Sequence, residues 1–206
     1  GRLLLLDGDL VDRTNLPRIV GARSEDVGRT PKVRVAQRYC AETGAATEVV
    51  PREMLLNGEN EVRFLRSADV MFSCVDRHTP RALMNELAYK ANIPLIDMGV
   101  AFRVRDDGSM EGCGGRVVVV GPGRPCLLCW GHIDPDRLRE EAMTDGERDE
   151  LAKRGYLHGA GDETQPSVMA FNTMVAGAAM IELLRLVTGF AGAGDPPNRL
   201  GFQFMT

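Results

Sequence analysis

Two carboxylates, Asp7 and Asp9, follow the four leucines at residues 3–6. An apolar run of that kind predicts a buried parallel strand. Ligands of open α/β sheets sit beyond the carboxyl ends of strands, where paired carboxylates suit a ribose or a metal. Asn15 and Arg18 follow in a polar loop, so one short stretch offers acidic, amide and cationic groups to a single ligand. A nucleotide fits that offer, and so does the plainer reading of a strand followed by a solvated turn. Lys32 stands near the start of a predicted helix, where unpaired N–H groups and the helix dipole attract anions, and it adds a positive charge for a phosphate. Asp76 closes the apolar run 69–75 as a second strand-end carboxylate. Taken singly, Lys32 fits a solvated side chain and Asp76 a helix cap. The joint order Asp7, Asn15, Arg18, Lys32, Asp76 is what singles them out.

The elements that must position these residues alternate. Thr30-Pro31 predicts a helix start, with Pro31 at the first helical position, running to Glu42. Val33, Val35, Ala36 and Tyr39 face inward, and Gly44 is the stop. Strands are predicted over 47–50, 69–75 and 94–98, with helices over 60–66 and 79–90. The alternation predicts an α/β fold, a Rossmann-like mixed and mostly parallel sheet with helices on both faces. Two further runs, 101–105 and 115–121, predict an antiparallel extension, with Asp107-Gly108 and Gly112 to Gly115 as its hairpin punctuation. Residues 130–165 are polar and charged, with helical propensity over 134–153, and predict a surface excursion. A long apolar helix is predicted over 166–188, stopped by Gly189, and a last strand over 200–205.

The chain has 206 residues, of which 44% are hydrophobic, and this suits a single domain over 1–206. The net charge is −4 with both signs scattered, which lacks the basic stripe of a nucleic-acid binder. No run of about 18 apolar residues is read in the sequence, so no membrane span is expected, and because the chain opens directly on a predicted strand no signal peptide is expected either. Five cysteines with one close pair, Cys126 and Cys129, argue for a reducing, cytoplasmic setting rather than a disulfide scaffold.

The order of motifs resembles the ThiF/MoeB family, the adenylation domain of ubiquitin-activating enzymes. The residues that carry it are Asp7-Gly-Asp9-Leu-Val11, Thr14-Asn15-Leu16-Pro17-Arg18, Val27-Gly28 with Lys32, and Cys74-Val-Asp76 with Arg81 and Asn85. Pro125-Cys126-Leu-Leu-Cys129 is similar to the family's first zinc knuckle, and Pro166 to Gly189 to its closing helix. The resemblance implies ATP-dependent adenylation of the C-terminal glycine of a ubiquitin-like or sulfur-carrier protein, giving an acyl-adenylate and pyrophosphate, by a homodimer. It implies that Asp7 holds the ribose and that Asn15, Arg18 and Lys32 contact the phosphates. It gives Mg²⁺ to Asp76 and a zinc half-site to Cys126 and Cys129. Asp9 belongs to the same cofactor-binding stretch.

Three departures bear on activity. No G-x-G-x-x-G occurs, and the family places its glycine loop upstream of a strand like 3–6, so the chain is expected to be cut from something longer. The second C-x-x-C is absent, which leaves zinc two sulfur ligands where structural sites have four. No cysteine stands between Trp130 and Pro166, so adenylation without a thioester is expected; Cys113 in the hairpin and Cys74 in a buried strand are poor substitutes. A non-catalytic module that binds a ubiquitin-like partner or dimerises is the competing reading. A nicotinamide-dependent dehydrogenase would need the missing glycine fingerprint.

Overall fold

The computed structural model describes residues 1–44, 46–105, 107–154, 168–190 and 198–205, which fall in two compact units, 1–68 and 69–206. In the first unit, β1 (Arg2–Leu6) pairs in parallel with β2 (Glu48–Arg52), Leu4 opposite Val50. Between them runs α1 (Lys32–Glu42), and α2 (Glu59–Leu65) follows. The opening leucines are half-buried rather than buried, with Leu3 40% exposed. Pro31 is the cap of α1 rather than its first residue, its φ of −60° and ψ of 141° holding it in the extended region. Val33 and Val35 point inward as predicted. Tyr39 does not: it is exposed, and its side chain lies over Gly21, where a Cβ would stand 3.0 Å from it. Gly21 also takes a φ of +83°, which favours glycine.

The second unit is built on a four-stranded sheet in the order β3 (Met71–Ser73), β4 (Leu95–Val104), β5 (Met110–Val120) and β6 (Arg199–Met205). β3 and β4 run parallel; β4–β5 and β5–β6 are antiparallel. α3 (His78–Lys90) joins the parallel pair, and α4 (Pro135–Ala142), α5 (Asp145–Lys153) and α6 (Met169–Thr188) precede β6. The α/β class and the antiparallel extension agree with expectation.

Two boundaries differ. The runs expected separately at 94–98 and 101–105 form one strand, β4. Gly112, Gly114 and Gly115 lie inside β5, so only Asp107-Gly108 belongs to the turn. The reason for Gly115 is helix packing: a Cβ there would stand 2.5 Å from Val175 Cγ2 and 3.1 Å from the Phe204 ring.

α6 lies on one face of this sheet. Val175 and Ala179 join Ile96, Val117 and Val119 in a buried cluster, and Phe171 stacks on Phe204 with ring centroids 4.6 Å apart. Gly189 ends the helix in the left-handed region at a φ of +63°. By length and composition α6 could cross a membrane, which the polar interruptions at Asn172, Thr173, Glu182 and Arg185 concealed. One stripe of it packs on the sheet, with Glu182 buried and paired with Arg185 at 2.9 Å, but only 17% of this apolar stretch is buried. Met180, Ile181, Leu184 and Val187 remain exposed.

The predicted excursion begins as α4 and α5. The rest of it, and the predicted start of the long helix at Pro166, lie outside the described residues. Glu141 on α4 accepts hydrogen bonds from the His78 and Thr79 N–H groups, both at 2.8 Å, and the Asp134 N–H donates to His78 Nδ1 at 3.1 Å. These bonds tie α4 to α3.

Candidate functional site

The carboxyl end of β1 carries the first group of predicted residues. The Asp7 N–H donates to the Arg52 carbonyl at 3.2 Å and extends the β1–β2 ladder by one residue. Gly8 then passes close to Leu55; a Cβ there would stand 2.9 Å from its Cγ. The chain next runs back against the start of α1. Leu10 bridges Pro31, the Val11 N–H meets the Thr30 carbonyl at 2.9 Å, and the Lys32 N–H meets the Asp9 carbonyl at 3.0 Å. Val11, 1% exposed, anchors the crossing.

This crossing places Lys32 against the strand end. Lys32 Nζ lies 2.6 Å from Asp9 Oδ2, and the Asp9 N–H donates to Asp7 Oδ1 at 2.8 Å. Asp7, Asp9 and Lys32 are therefore brought together at the strand end. The lysine is not a loose charge on a helix turn: it is held by a carboxylate.

Asn15 and Arg18 occupy the next turn of chain. Asn15 lies in a 3₁₀ turn (Arg13–Asn15) and is 7% exposed. Its Oδ1 accepts from the Asp12 N–H at 3.1 Å, while Asp12 accepts from the Thr14 N–H and hydroxyl at 2.8 Å each. The expected polar loop is thus a capped turn in which Asn15 is buried while Asp12, Arg13 and Thr14 stay exposed, and the Asn15 amide oxygen is engaged in shaping it. The Thr14 N–H and hydroxyl, with a smaller contribution from Arg18, hold the Asp12 carboxyl below its usual range. Arg18 is half-buried, and among the described residues no carboxylate forms an ion pair with it. The loop behind it is pinned to α1 by a buried pair: Arg38 reaches both oxygens of Asp26, at 3.0 and 2.7 Å, and the Gly21 carbonyl at 2.9 Å.

In the second unit, Asp76 is exposed on the turn between β3 and α3. The strand ends at Ser73, two residues earlier than the apolar run suggested. Cys74 lies one residue past the strand and is exposed, which corrects the expectation of a buried strand cysteine. Cys113 is buried within β5, and burial pushes its thiol up.

A buried node holds the Asp76 turn, and the sequence reading missed its centre. Asp97, fully buried on β4, accepts from Ser73 Oγ at 2.8 Å, Arg81 Nε at 3.1 Å and Arg116 Nη2 at 3.2 Å. Arg81 also donates to the carbonyl of Val75, the residue before Asp76. The available signal was a lone Asp in the apolar run Leu95-Ile-Asp-Met.

Cys126 and Cys129 face each other with sulfurs 3.4 Å apart. The turn is fixed by the Leu127 N–H, which donates to Asn85 Oδ1 at 2.9 Å. Burial raises the Cys126 thiol, but the Cys129 N–H and thiol, the Leu128 N–H and Asn85 outweigh it and leave the pKa lowered. Two sulfurs about 2.3 Å from a tetrahedral zinc would stand roughly 3.8 Å apart, so the pair fits two corners of a site. Among the described residues no group of three or more His, Cys, Asp or Glu could complete one. A closed zinc site is therefore not formed by these residues. His132 is held to about 4, by burial first and then by Arg116 and Arg199.

Residues 1–205 match the ThiF family. The chain belongs to this family. Among family relatives it is similar to the adenylyltransferase and sulfurtransferase MOCS3 of Caenorhabditis briggsae, 29% identical over 136 residues covering 66% of this chain and 32% of that protein. It is similar to the sulfur carrier protein ThiS adenylyltransferase of Escherichia coli K12, 30% identical over 141 residues covering 66% and 52%. The fold matches that of E. coli MccB crystallised with ATP at a TM-score of 0.65 and 20% identity, over 98% of this chain and 53% of that one. The chain thus spans from a third to about half the length of these proteins. The family's Rossmann-like α/β fold is the one described above.

Proposed function

We propose that the chain supplies the adenylation chemistry of its family: transfer of AMP from ATP to the C-terminal carboxylate of a ubiquitin-like or sulfur-carrier protein. The observation that carries the proposal is the Asp7–Asp9–Lys32 arrangement at a strand end, in a chain whose relatives are named adenylyltransferases. One oxygen of the acceptor carboxylate attacks the α-phosphorus. The bond from that phosphorus to the oxygen bridging to the β-phosphate breaks, and its electron pair leaves with pyrophosphate. No proton moves, so the protein needs to position groups and offset charge rather than supply an acid or a base.

Each residue has a part in that task. Asp7 accepts from ribose hydroxyls. Lys32, kept in place by Asp9, exchanges one carboxylate oxygen for phosphate oxygens when the triphosphate arrives. Arg18 presents a planar fork to two oxygens, where Lys32 acts as a point charge. Asn15 shapes the turn that delivers Arg18 and directs its amide nitrogen to the phosphates. Asp76, an exposed carboxylate with no ion-pair partner among the described residues, suits Mg²⁺, which is bound through one or two carboxylates together with substrate phosphates. Such an ion would neutralise charge on the phosphate oxygens. In this reading the chain works as a homodimer in the cytoplasm.

ATP–pyrophosphate exchange with a glycine-terminated sulfur-carrier protein tests the proposal. Asp76→Ala and Arg18→Ala are each expected to lower exchange by about 10²–10³-fold with unchanged circular dichroism. If both variants exchange like the wild type, the site is misassigned. If the wild type binds no ATP by calorimetry yet binds the carrier protein, a non-catalytic binding module replaces this reading.

A further inference from the structure

We propose that the face of the β4–β5–β6 sheet opposite α6 binds an extended, acidic peptide segment of the protein that the chain activates. The inference deepens the reading above, because it rests on the acceptor being a protein and names the chemistry of the part that docks.

Alternation along the strands separates the two faces. Ile96, Met98 and Val100 on β4, Val117 and Val119 on β5, and Leu200 and Phe202 on β6 pack with α6. The residues between them line a trough of about 550 Å³ on the other side, within the roughly 300–1,000 Å³ of ligand pockets. Its floor is nearly bare backbone, with Gly99, Ala101, Gly114 and Gly201 among the lining residues. Its walls carry Arg103, Arg116, Arg199 and His132, and no Asp or Glu is among the described residues that line it.

The glycines and arginines belong to one design. Gly99 lies opposite Arg116 in the ladder, and a Cβ at Gly99 would stand 3.2 Å from Arg116 Nη1. Gly112 stands in the same relation to Arg103, at 3.1 Å from Nη2. Glycine at these points lets the guanidiniums lie flat on the sheet. At Gly201 a Cβ would meet nothing within 4 Å, so the floor there is open.

The charge is in excess. One carboxylate, Asp97, serves both Arg81 and Arg116. Arg103 meets Glu111 only at 3.9 Å, with Arg103 itself largely exposed. Arg199 lies over the Trp130 ring, 5.3 Å from its centroid, and no carboxylate pairs with it among the described residues. Arg116 Nε and His132 Nε2 are buried without a hydrogen-bond partner. From Gly99 to Arg103 the trough runs about 13 Å at a rise of roughly 3.3 Å per residue, enough for about four extended residues. A peptide fits better than a nucleic acid: Trp130 is occupied by Arg199, and Phe202, the aromatic residue among those lining the trough, packs with α6 on the other face, which leaves no ring on which bases could stack.

Fluorescence anisotropy with the 206-residue chain and no nucleotide tests this, using labelled eight-residue peptides of alternating Asp and Gly or of alternating Asn and Gly. The acidic peptide is expected to bind at least about tenfold more tightly at low salt, and the difference to shrink as salt screens it. Arg199→Glu exchanges an attraction for a repulsion and is expected to weaken acidic binding by about tenfold, with Arg199→Lys restoring most of it. Gly201→Val fills the open floor, removes no charge, and is expected to weaken binding to a similar degree while the protein melts normally. Equal affinity for the two peptides overturns the proposal, as does a single-stranded oligouridine RNA that competes as well as the acidic peptide. Pyrophosphate exchange, run in parallel, judges the adenylation reading separately: peptide selectivity without exchange refutes that reading alone, and exchange without selectivity refutes this one alone.

Discussion

Replacing Asp97 by asparagine tests the buried node with little change of volume. The substitution leaves Arg81, whose side chain is 8% exposed, and Arg116, at 19%, facing each other without their shared counter-charge. Breaking a buried ion pair from one side costs about 3–5 kcal/mol. The asparagine oxygen keeps one acceptor, which offsets about 1 kcal/mol, so a net loss of about 2–4 kcal/mol is expected. At roughly 2–4 °C per kcal/mol for a chain of this size, the melting temperature falls by about 10 °C. The single tryptophan, Trp130, lies in the second unit, so its fluorescence in a urea titration reports on that unit without assuming that both units unfold together. Ser73→Ala, which removes one hydrogen bond to the same carboxylate, is the control and is expected to cost about 1 kcal/mol. A loss under 0.5 kcal/mol for Asp97→Asn, or an equal loss for the two variants, would refute the assignment of Asp97 as the charge that holds the node.

Two further predictions concern packing and pH. Gly115→Ala puts a methyl group 2.5 Å from Val175 Cγ2 and is expected to destabilise by about 1–3 kcal/mol; an unchanged urea midpoint would show that α6 is not seated so tightly. In the first unit, Arg38, opposed by burial and helped by the Arg23 N–H, holds the Asp26 carboxyl well below its ordinary value of 3.8. A carboxyl lowered on folding contributes its full stability above the unfolded value, and loses it as pH falls from about 4 toward the folded value. Denaturation between pH 3 and 7 is therefore expected to show a steep acid loss that Asp26→Asn lacks, the variant being the weaker protein at neutral pH; identical acid slopes would contradict this.

Much of the element order could be read directly, because local signals agreed with tertiary need. Thr30-Pro31, Gly44 and Gly189 mark helix ends by backbone chemistry that acts within a few residues, and β1 with its trailing carboxylates follows from an apolar run. The misreadings arose where a residue answers to a distant partner. Gly99 interrupts an apolar strand because an arginine on the neighbouring strand lies across it, so one strand read as two. Gly115 resembles turn chemistry but is a contact for a helix 60 residues later. Asp97 stood unremarked because Ser73, Arg81 and Arg116 lie 16 to 24 positions away. Asn15 and Lys32 were visible as polar groups near a strand end, but the cap that engages one and the carboxylate that clamps the other are products of the chain folding back at Leu10 and Pro31.

The bonds from Glu141 to the start of α3 bear on how the chain would respond to being cut. α4 is fastened by Glu141 and by His78, not only by its covalent connections. A protease that nicks the backbone within residues 143–154 would leave α4 held to α3 by these bonds. The turn carrying Asp76 would keep its brace in such a nicked protein, whereas charge removal at Glu141 would loosen it with every peptide bond intact.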